Sequence, residues 1–371
     1  MGWDGYNHFG LQVTAAIVEA QARALVASGL KAAGYTYVNL DGAWNLLKRD
    51  AHGNLQPNPG LFPQGIRLVA DYVHSLGLKF GIYTSAGTEN CAGTSAGSYG
   101  HYRQDAQTFA SWGVDYVKLD WCRIPFRDYP TMSHEGVSQM LATQMSDALA
   151  ATGRPIVYDV NDTNWRIDKT WTWASRRASL WRTTKDIRDT YASMVWHFVH
   201  NVRDYRYAGP GGWNDPDMLE VGNGGMSTTE YRTQFSLWAE MAAPLIAGND
   251  LTTMSAVSRS ILTNASVIAV DQDRLGRQGY PVASSGGHWV LTKPLANGDR
   301  AVVLFNQTGI RATISTTAAR VGLGGAASTL RNLWTGTVTE TAGVITARVP
   351  AHGVVMYRVA KGVALWGLIR I

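Results

Sequence analysis

The run Val114-Asp-Tyr-Val-Lys-Leu-Asp-Trp-Cys122 carries an ammonium, a carboxylate and a sulfur at alternate positions, Lys118, Asp120 and Cys122. Its β-branched and aromatic residues read as a short buried strand, and side chains of a strand alternate between faces, so Tyr116, Lys118, Asp120 and Cys122 share one side. An ammonium close to a carboxylate lowers its pKa and keeps it ionised, and an ionised, oriented Asp can act as a nucleophile. A buried structural ion pair would show the same pattern. What separates the two readings is whether other reactive groups converge on the same place.

Other strand-like runs also end in groups that bond a hydroxyl or carry charge. These are Asp41, Tyr83, Asn161, Arg182 with Asp186, and Asp215 with Asp217. Two carboxylates with unequal neighbours suit hydrolysis of a glycosidic bond, one ionised as nucleophile and one protonated as acid, about 5 to 5.5 Å apart when configuration is retained. Asp120 takes the first role and Asp186 is the candidate for the second. Arg182 would by itself lower the pKa of Asp186, so burial or the charge of Asp120 must push the other way. An Asp at the start of a helix, facing its dipole, accounts for Asp186 equally well.

These residues can meet only if the elements carrying them form one sheet. Residues 14–28 place Val18, Ala22 and Leu25 at helical spacing before the strand-like run 35–41, and residues 63–75 place Val69, Tyr72, Val73 and Leu76 on one stripe before the run 78–84. Helical patterns at 102–112, 137–149, 191–202 and 231–243 continue the alternation with strand-like runs at 114–122, 155–161, 179–182, 212–217 and 244–247. With the short Gly2-Trp3 segment this makes about eight strand–helix units, which predicts a parallel (β/α)8 barrel with its reactive residues at the carboxyl ends of the strands. Past Gly279-Tyr-Pro281 the runs at 288–292, 300–305, 313–316 and 353–358 are short, apolar and separated by Gly, Asn and Thr. They predict a small antiparallel β-sandwich. The expected division is a catalytic barrel over 1–280, a sandwich over 281–360, and an unassigned tail over 361–371.

Composition removes several function classes. Hydrophobic residues make up 45%, ample for a large core, while charged residues are 16% and the net charge is +5, without a long Lys/Arg run. That is a mildly basic surface and not a nucleic-acid footprint. Apolar runs fall short of the roughly 20 residues of a membrane-spanning helix, so no membrane association is expected. There is no convincing G-x-G-x-x-G after a first strand, no P-loop, and no His-x-His or His-Glu-x-x-His pair among the nine His, so neither cofactor nor metal is expected. Fourteen Trp and 16 Tyr supply flat faces with polar tips that suit sugars, and equally a large core. The opening Met1-Gly-Trp-Asp-Gly-Tyr has no signal-peptide pattern and starts within what reads as a functional segment, which points to a first strand cut short and a secretory signal lost with it. Two cysteines do not define a bridge by arithmetic.

The motifs are specific enough to carry a resemblance. Met1-Gly-Trp3, Phe62-Pro-x-Gly-Ile66, Gly77-Leu-Lys-x-Gly-Ile-Tyr83, Cys91-Ala-Gly93, Lys118-x-Asp-x-Cys122, Ala208-Gly-Pro-Gly-Gly-Trp-Asn-Asp-Pro-Asp-Met-Leu219 and Asn249-Asp-Leu251 occur in order along the chain to about Tyr280. In these the chain resembles the melibiase-type α-galactosidases, retaining glycosidases grouped with α-N-acetylgalactosaminidases. The resemblance implies Asp120 as nucleophile and Asp186 as acid/base in a double displacement on an α-linked oligo- or polysaccharide. It implies sugar contacts from Asp41, Tyr83, Lys118, Arg182 and Asp217, and a Cys91–Cys122 disulfide beside the site. A disulfide in turn implies an oxidising, extracytoplasmic setting.

Departures from the family pattern fall around the sugar. Asp41 is followed by Gly42 where the family has a second acidic residue, Asn161 stands where an acidic residue reaches the sugar, and the aromatic near the first strand is Tyr6 in place of Trp. The reaction is thereby kept while the glycone preference is opened to change, with α-glucosidic isomaltodextranase-like and β-L-arabinopyranosidase-like activities as alternatives. A sugar-binding relative that has lost catalysis, and a metal-dependent barrel hydrolase, are the readings of another class; the presence of both carboxylates and the lack of metal motifs speak against them. The sequence leaves the oligomeric state open.

Overall fold

The computed structural model describes residues 1–162, 165–324 and 328–361. The tail that the sequence left unassigned lies outside them except for Lys361, the last residue of a strand.

Eight short parallel strands form the first sheet: β1 (Gly2–Asp4), β2 (Tyr37–Leu40), β3 (Lys79–Ser85), β4 (Tyr116–Asp120), β5 (Val157–Asn161), β6 (Leu180–Arg182), β7 (Trp213–Asp215) and β8 (Ile246–Ala247). They run in the order β7-β6-β5-β4-β3-β2-β1-β8. The ends of this row approach each other past β7, where Leu219 bridges Ala247 in parallel; the Leu219 amide donates to the Ile246 carbonyl at 2.7 Å and the Gly248 amide to the Leu219 carbonyl at 2.9 Å. That bridge closes a TIM-like barrel. Helices Ala15–Ala27, Ile66–Ser75, Tyr102–Ser111, His134–Ala150, Tyr191–Asn201 and Thr228–Glu240 return the chain between strands. Their starts follow from the residues that precede them: Thr14, Ser133, Thr190 and Ser227 each accept an orphan amide of the first turn, and Ser227 forms a reciprocal capping box with Glu230. The strands are buried on both faces, which is why they read as continuous apolar runs.

The carboxyl-terminal sheet has six antiparallel strands in the order β14-β13-β16-β11-β10-β9, namely β9 (Tyr280–Ser285), β10 (His288–Pro294), β11 (Arg300–Asn306), β13 (Ser328–Asn332), β14 (Val338–Thr341) and β16 (Val354–Lys361). A two-stranded sheet of β12 (Ala312–Thr317) and β15 (Val344–Val349) covers one face. Along β11 the alternation is visible in the core. Val302 and Leu304 pack with Ile314 and Ile345 between the two sheets, while Ala301, Val303 and Phe305 join the barrel's core on the side of the Thr228–Glu240 helix. The sandwich thus presses its larger sheet against the barrel and leaves the strand carboxyl ends, where the reactive residues collect, uncovered by it.

Candidate active site

Asp120 is the last residue of β4 and is 8% exposed. One carboxylate oxygen accepts the Tyr83 hydroxyl at 2.8 Å and touches Cys91 Sγ at 3.1 Å; the other accepts the Trp121 amide at 2.8 Å. Tyr83 arrives from β3, the strand beside β4, and is held by the Trp44 indole, which donates to the Tyr83 carbonyl at 2.8 Å. Cys91 is disulfide-bonded to Cys122, two residues beyond Asp120, as the resemblance implied. Cys91 lines the pocket; Cys122 is not part of its lining and acts from behind, by fixing Cys91.

Lys118 does not pair with Asp120. Its Nζ lies 2.6 Å from Asp41 Oδ2, a carboxylate at the end of β2. Burial works against the ammonium, but Asp41 and Asp4, with help from Asp120, outweigh it and hold Lys118 well above its ordinary pKa. The sequence reading that Lys118 keeps Asp120 low therefore needs correction. Burial dominates and pushes Asp120 up to about 6; Lys118 and the Tyr83 hydrogen bond pull it down, and the charge of Asp186 pushes it up. Asp120 is still ionised at neutral pH, with less margin than the spacing alone suggested.

Arg182, at the end of β6, binds two carboxylates. Its guanidinium reaches Asp186 Oδ1 at 3.0 Å and Asp217 Oδ2 at 3.1 Å. Asp217 is 5% exposed and also accepts the amides of Ile187 at 2.7 Å and Met218 at 2.8 Å. Its φ of 83° lies in the left-handed region, a strained conformation held by these bonds at the pocket wall. The Ile187 amide is tied to Asp217 and the Arg188 amide donates to Ser193 Oγ at 3.0 Å, so the chain directly after Asp186 is pinned at two successive residues. The Asp186 side chain is 73% exposed, so the burial that the acid role was expected to draw on is absent.

Tyr6, Asp41, Tyr83, Cys91, Lys118, Asp120, Asn161, Arg182, Asp186 and Asp217 line one cleft of about 480 Å³ at the carboxyl ends of the strands. Asn161 is 2% exposed, and its amide oxygen is buried without a hydrogen-bond partner among the described residues. A Cβ on Gly42 would meet Asn90 Nδ2 and the Tyr83 ring at 3.6 Å, ordinary contact, so a side chain can begin at this buried turn without a clash at Cβ.

One layer deeper the barrel interior holds Asp4, Tyr116, Asp159 and Asp215; the sequence placed Asp215 among the strand ends and Tyr116 on the face of Asp120, but gave no role to Asp4 or Asp159. Burial raises the pKa of Asp4 and Asp215, and of Asp159, whose carboxylate accepts the Tyr116 hydroxyl at 2.8 Å. For Asp159 the strand pattern carries the signal, since it stands two positions before Asn161 on the same face of β5. Lys118 and Arg182 reach both layers and are the cations that such a buried acidic cluster needs. Among the described residues the one close group of potential metal ligands is Cys91, Asp120 and Cys122, whose sulfurs are consumed by the disulfide, leaving a single carboxylate.

This arrangement has a counterpart in known proteins. A family model described as "Alpha galactosidase A" matches residues 12–273, and one described as "Alpha galactosidase C-terminal beta sandwich domain" matches residues 285–359. The chain belongs to the melibiase-type α-galactosidase family. Membership makes it a glycosidase. It is 45% identical to the α-galactosidase of Oryza sativa over 96% of this chain and 83% of the relative. α-Galactosidase I of Mortierella vinacea superposes with a TM-score of 0.93 at 33% identity, covering 98% of this chain and 96% of that one. The Saccharomyces cerevisiae α-galactosidase in the presence of raffinose superposes with a TM-score of 0.87 at 29% identity, covering 98% and 97%.

Proposed function

We propose that this glycosidase removes terminal α-galactosyl residues with retention of configuration, Asp120 serving as nucleophile and Asp186 as acid/base. A carboxylate oxygen of Asp120 attacks the anomeric carbon while Asp186 gives its proton to the glycosidic oxygen, which leaves as an alcohol. Asp186, now a carboxylate, takes a proton from water as that water attacks the anomeric carbon and releases Asp120. The observation that carries the reading is the Asp120 carboxylate itself, held by the Tyr83 hydroxyl and the Trp121 amide at a cleft where Lys118–Asp41 and Arg182–Asp217 converge.

The substrate is an α-galactoside such as raffinose, the sugar named with the yeast relative. Lys118, Asp41, Arg182 and Asp217 bind its hydroxyls, Asn161 borders the same space, and Tyr6 offers an apolar face. The catalytic unit ends near residue 280 and the sandwich occupies 281–360. The disulfide supports an extracytoplasmic location, and no helix among the described residues is long and apolar enough to cross a membrane. The test is initial rates on p-nitrophenyl α-galactoside, α-glucoside and β-L-arabinopyranoside. The α-galactoside should dominate; a preference for either other substrate would move the glycone assignment while leaving the two-carboxylate chemistry in place.

A further inference from the structure

The cleft that holds Asp120 and Asp186 adjoins a second, more open groove of about 990 Å³. The two share Tyr6 and Asn7, and the groove is walled by Ile187, Arg188 and Asp189, the residues that directly follow Asp186. An acid that protonates the glycosidic oxygen must stand on the side to which the leaving group extends. The groove continues the cleft along the residues that follow Asp186.

Its floor is a set of polar side chains locked against one another. Glu220, 1% exposed, accepts from the Asn7 amide and, at 2.7 Å, from the Asn223 amide. Asn223 Nδ2 also reaches the Gly248 carbonyl at 3.2 Å, which turns its oxygen towards His8 Nδ1 at 3.1 Å. An amide oxygen only accepts, so Nδ1 of His8 is the donor in that contact, and Nε2 of this exposed side chain has no hydrogen-bond partner among the described residues. Arg188 is exposed, and its guanidinium has no hydrogen-bond or ion-pair partner among the described residues. Tyr6 adds a ring that is 39% exposed.

We propose that this groove is the leaving-group subsite, and that it takes a neutral, polyhydroxylated saccharide through the Tyr6 face, His8 and Arg188. The assignment rests on Asp186 being the acid. A saccharide fits because the groove offers donors and acceptors together. An anionic ligand would meet the carboxylates of Asp189 and Glu220, and a purely aryl group would leave the polar set without partners.

The experiment compares kcat/KM for raffinose, whose leaving group is a disaccharide, with that for p-nitrophenyl α-galactoside in the wild type, Arg188→Ala and His8→Ala. Both residues are exposed, so folding is not at stake; circular dichroism of each variant checks this. The raffinose-to-aryl ratio should fall about tenfold in Arg188→Ala, the scale of one lost hydrogen bond to a charged donor, and by less in His8→Ala. A ratio unchanged in both variants overturns the subsite while leaving the glycosidase reading intact. A wild type that turns over neither substrate overturns the α-galactosidase reading, and the subsite with it.

Discussion

Replacing Tyr83 with Phe removes one hydroxyl and leaves the ring that packs at the cleft. The lost bond is the 2.8 Å hydrogen bond to Asp120, while the Trp121 amide stays on the other carboxylate oxygen and the Trp44 indole stays on the Tyr83 carbonyl. Burial already pushes Asp120 up to about 6, and the Tyr83 hydroxyl is one of the groups that pull it down. A hydrogen bond to a charged group contributes about 1.5–3 kcal/mol, so even its lower end is worth about one pKa unit. Because the bond stabilises the ionised form, its loss moves the pKa upward, and the variant should carry its nucleophile near pH ~7. The assay is the pH dependence of kcat/KM on p-nitrophenyl α-galactoside, whose acid limb reports the free enzyme's nucleophile. The position of the limb is the readout, since Tyr83 also lines the sugar cleft and its replacement can lower the whole curve. An acid limb that stays in place, or moves to lower pH, would refute the assignment of Tyr83 as one of the groups that, with Lys118, keep Asp120 ionised.

Three further outcomes follow from the same geometry. Burial raises the carboxyl pKa of Asp4, Asp159, Glu240 and Asp271, the last to about 7, so the native state holds protons that the unfolded chain releases above pH ~4. Their contribution to stability is complete below that value and is lost as pH rises through the native pKa values; thermal denaturation should give a higher Tm at pH 5 than at pH 8, and the reverse order would contradict the upward shifts of these buried carboxyls. The Cys91–Cys122 bridge spans a sequence separation of 31, worth about 3–4 kcal/mol of loop entropy; a Cys91→Ser/Cys122→Ser double variant should lose that much in urea denaturation, and a loss under ~1 kcal/mol would mean the loop is held by its other contacts. Gly42→Asp places its Cβ in ordinary contact with Tyr83 and Asn90 and restores the acidic pair after β2, so α-galactoside turnover should rise several-fold relative to α-glucoside; no improvement would show that the missing acceptor does not set the glycone.

Much of the architecture was readable because the barrel strands and β10 and β11 are buried on both faces and announce themselves as apolar runs ended by polar residues. Strands β13, β14 and β15 escaped notice: they keep one polar face, and Ser328–Asn332 and Val338–Thr341 are dominated by Ser, Thr, Asn and Glu. Alternation correctly put Lys118 and Asp120 on one face, but spacing within a strand cannot say which carboxylate an ammonium chooses. Its partner, Asp41, comes from a strand two places away, and only the closed barrel brings it to 2.6 Å. The same limit applies to Asp186. Its pairing with Arg182 was visible as an i, i+4 relation, whereas its exposure depends on how the segment is tied to Asp217 and Ser193.

The central claim is that Asp120 forms the bond to the sugar, and trapping that bond tests it most directly. A fluorinated α-galactosyl fluoride that forms the glycosyl-enzyme faster than water removes it should inactivate the protein with one galactosyl adduct. Peptide mass spectrometry should place that adduct on Asp120. An adduct on any other residue, or release of sugar with inverted configuration and no adduct, would contradict the account.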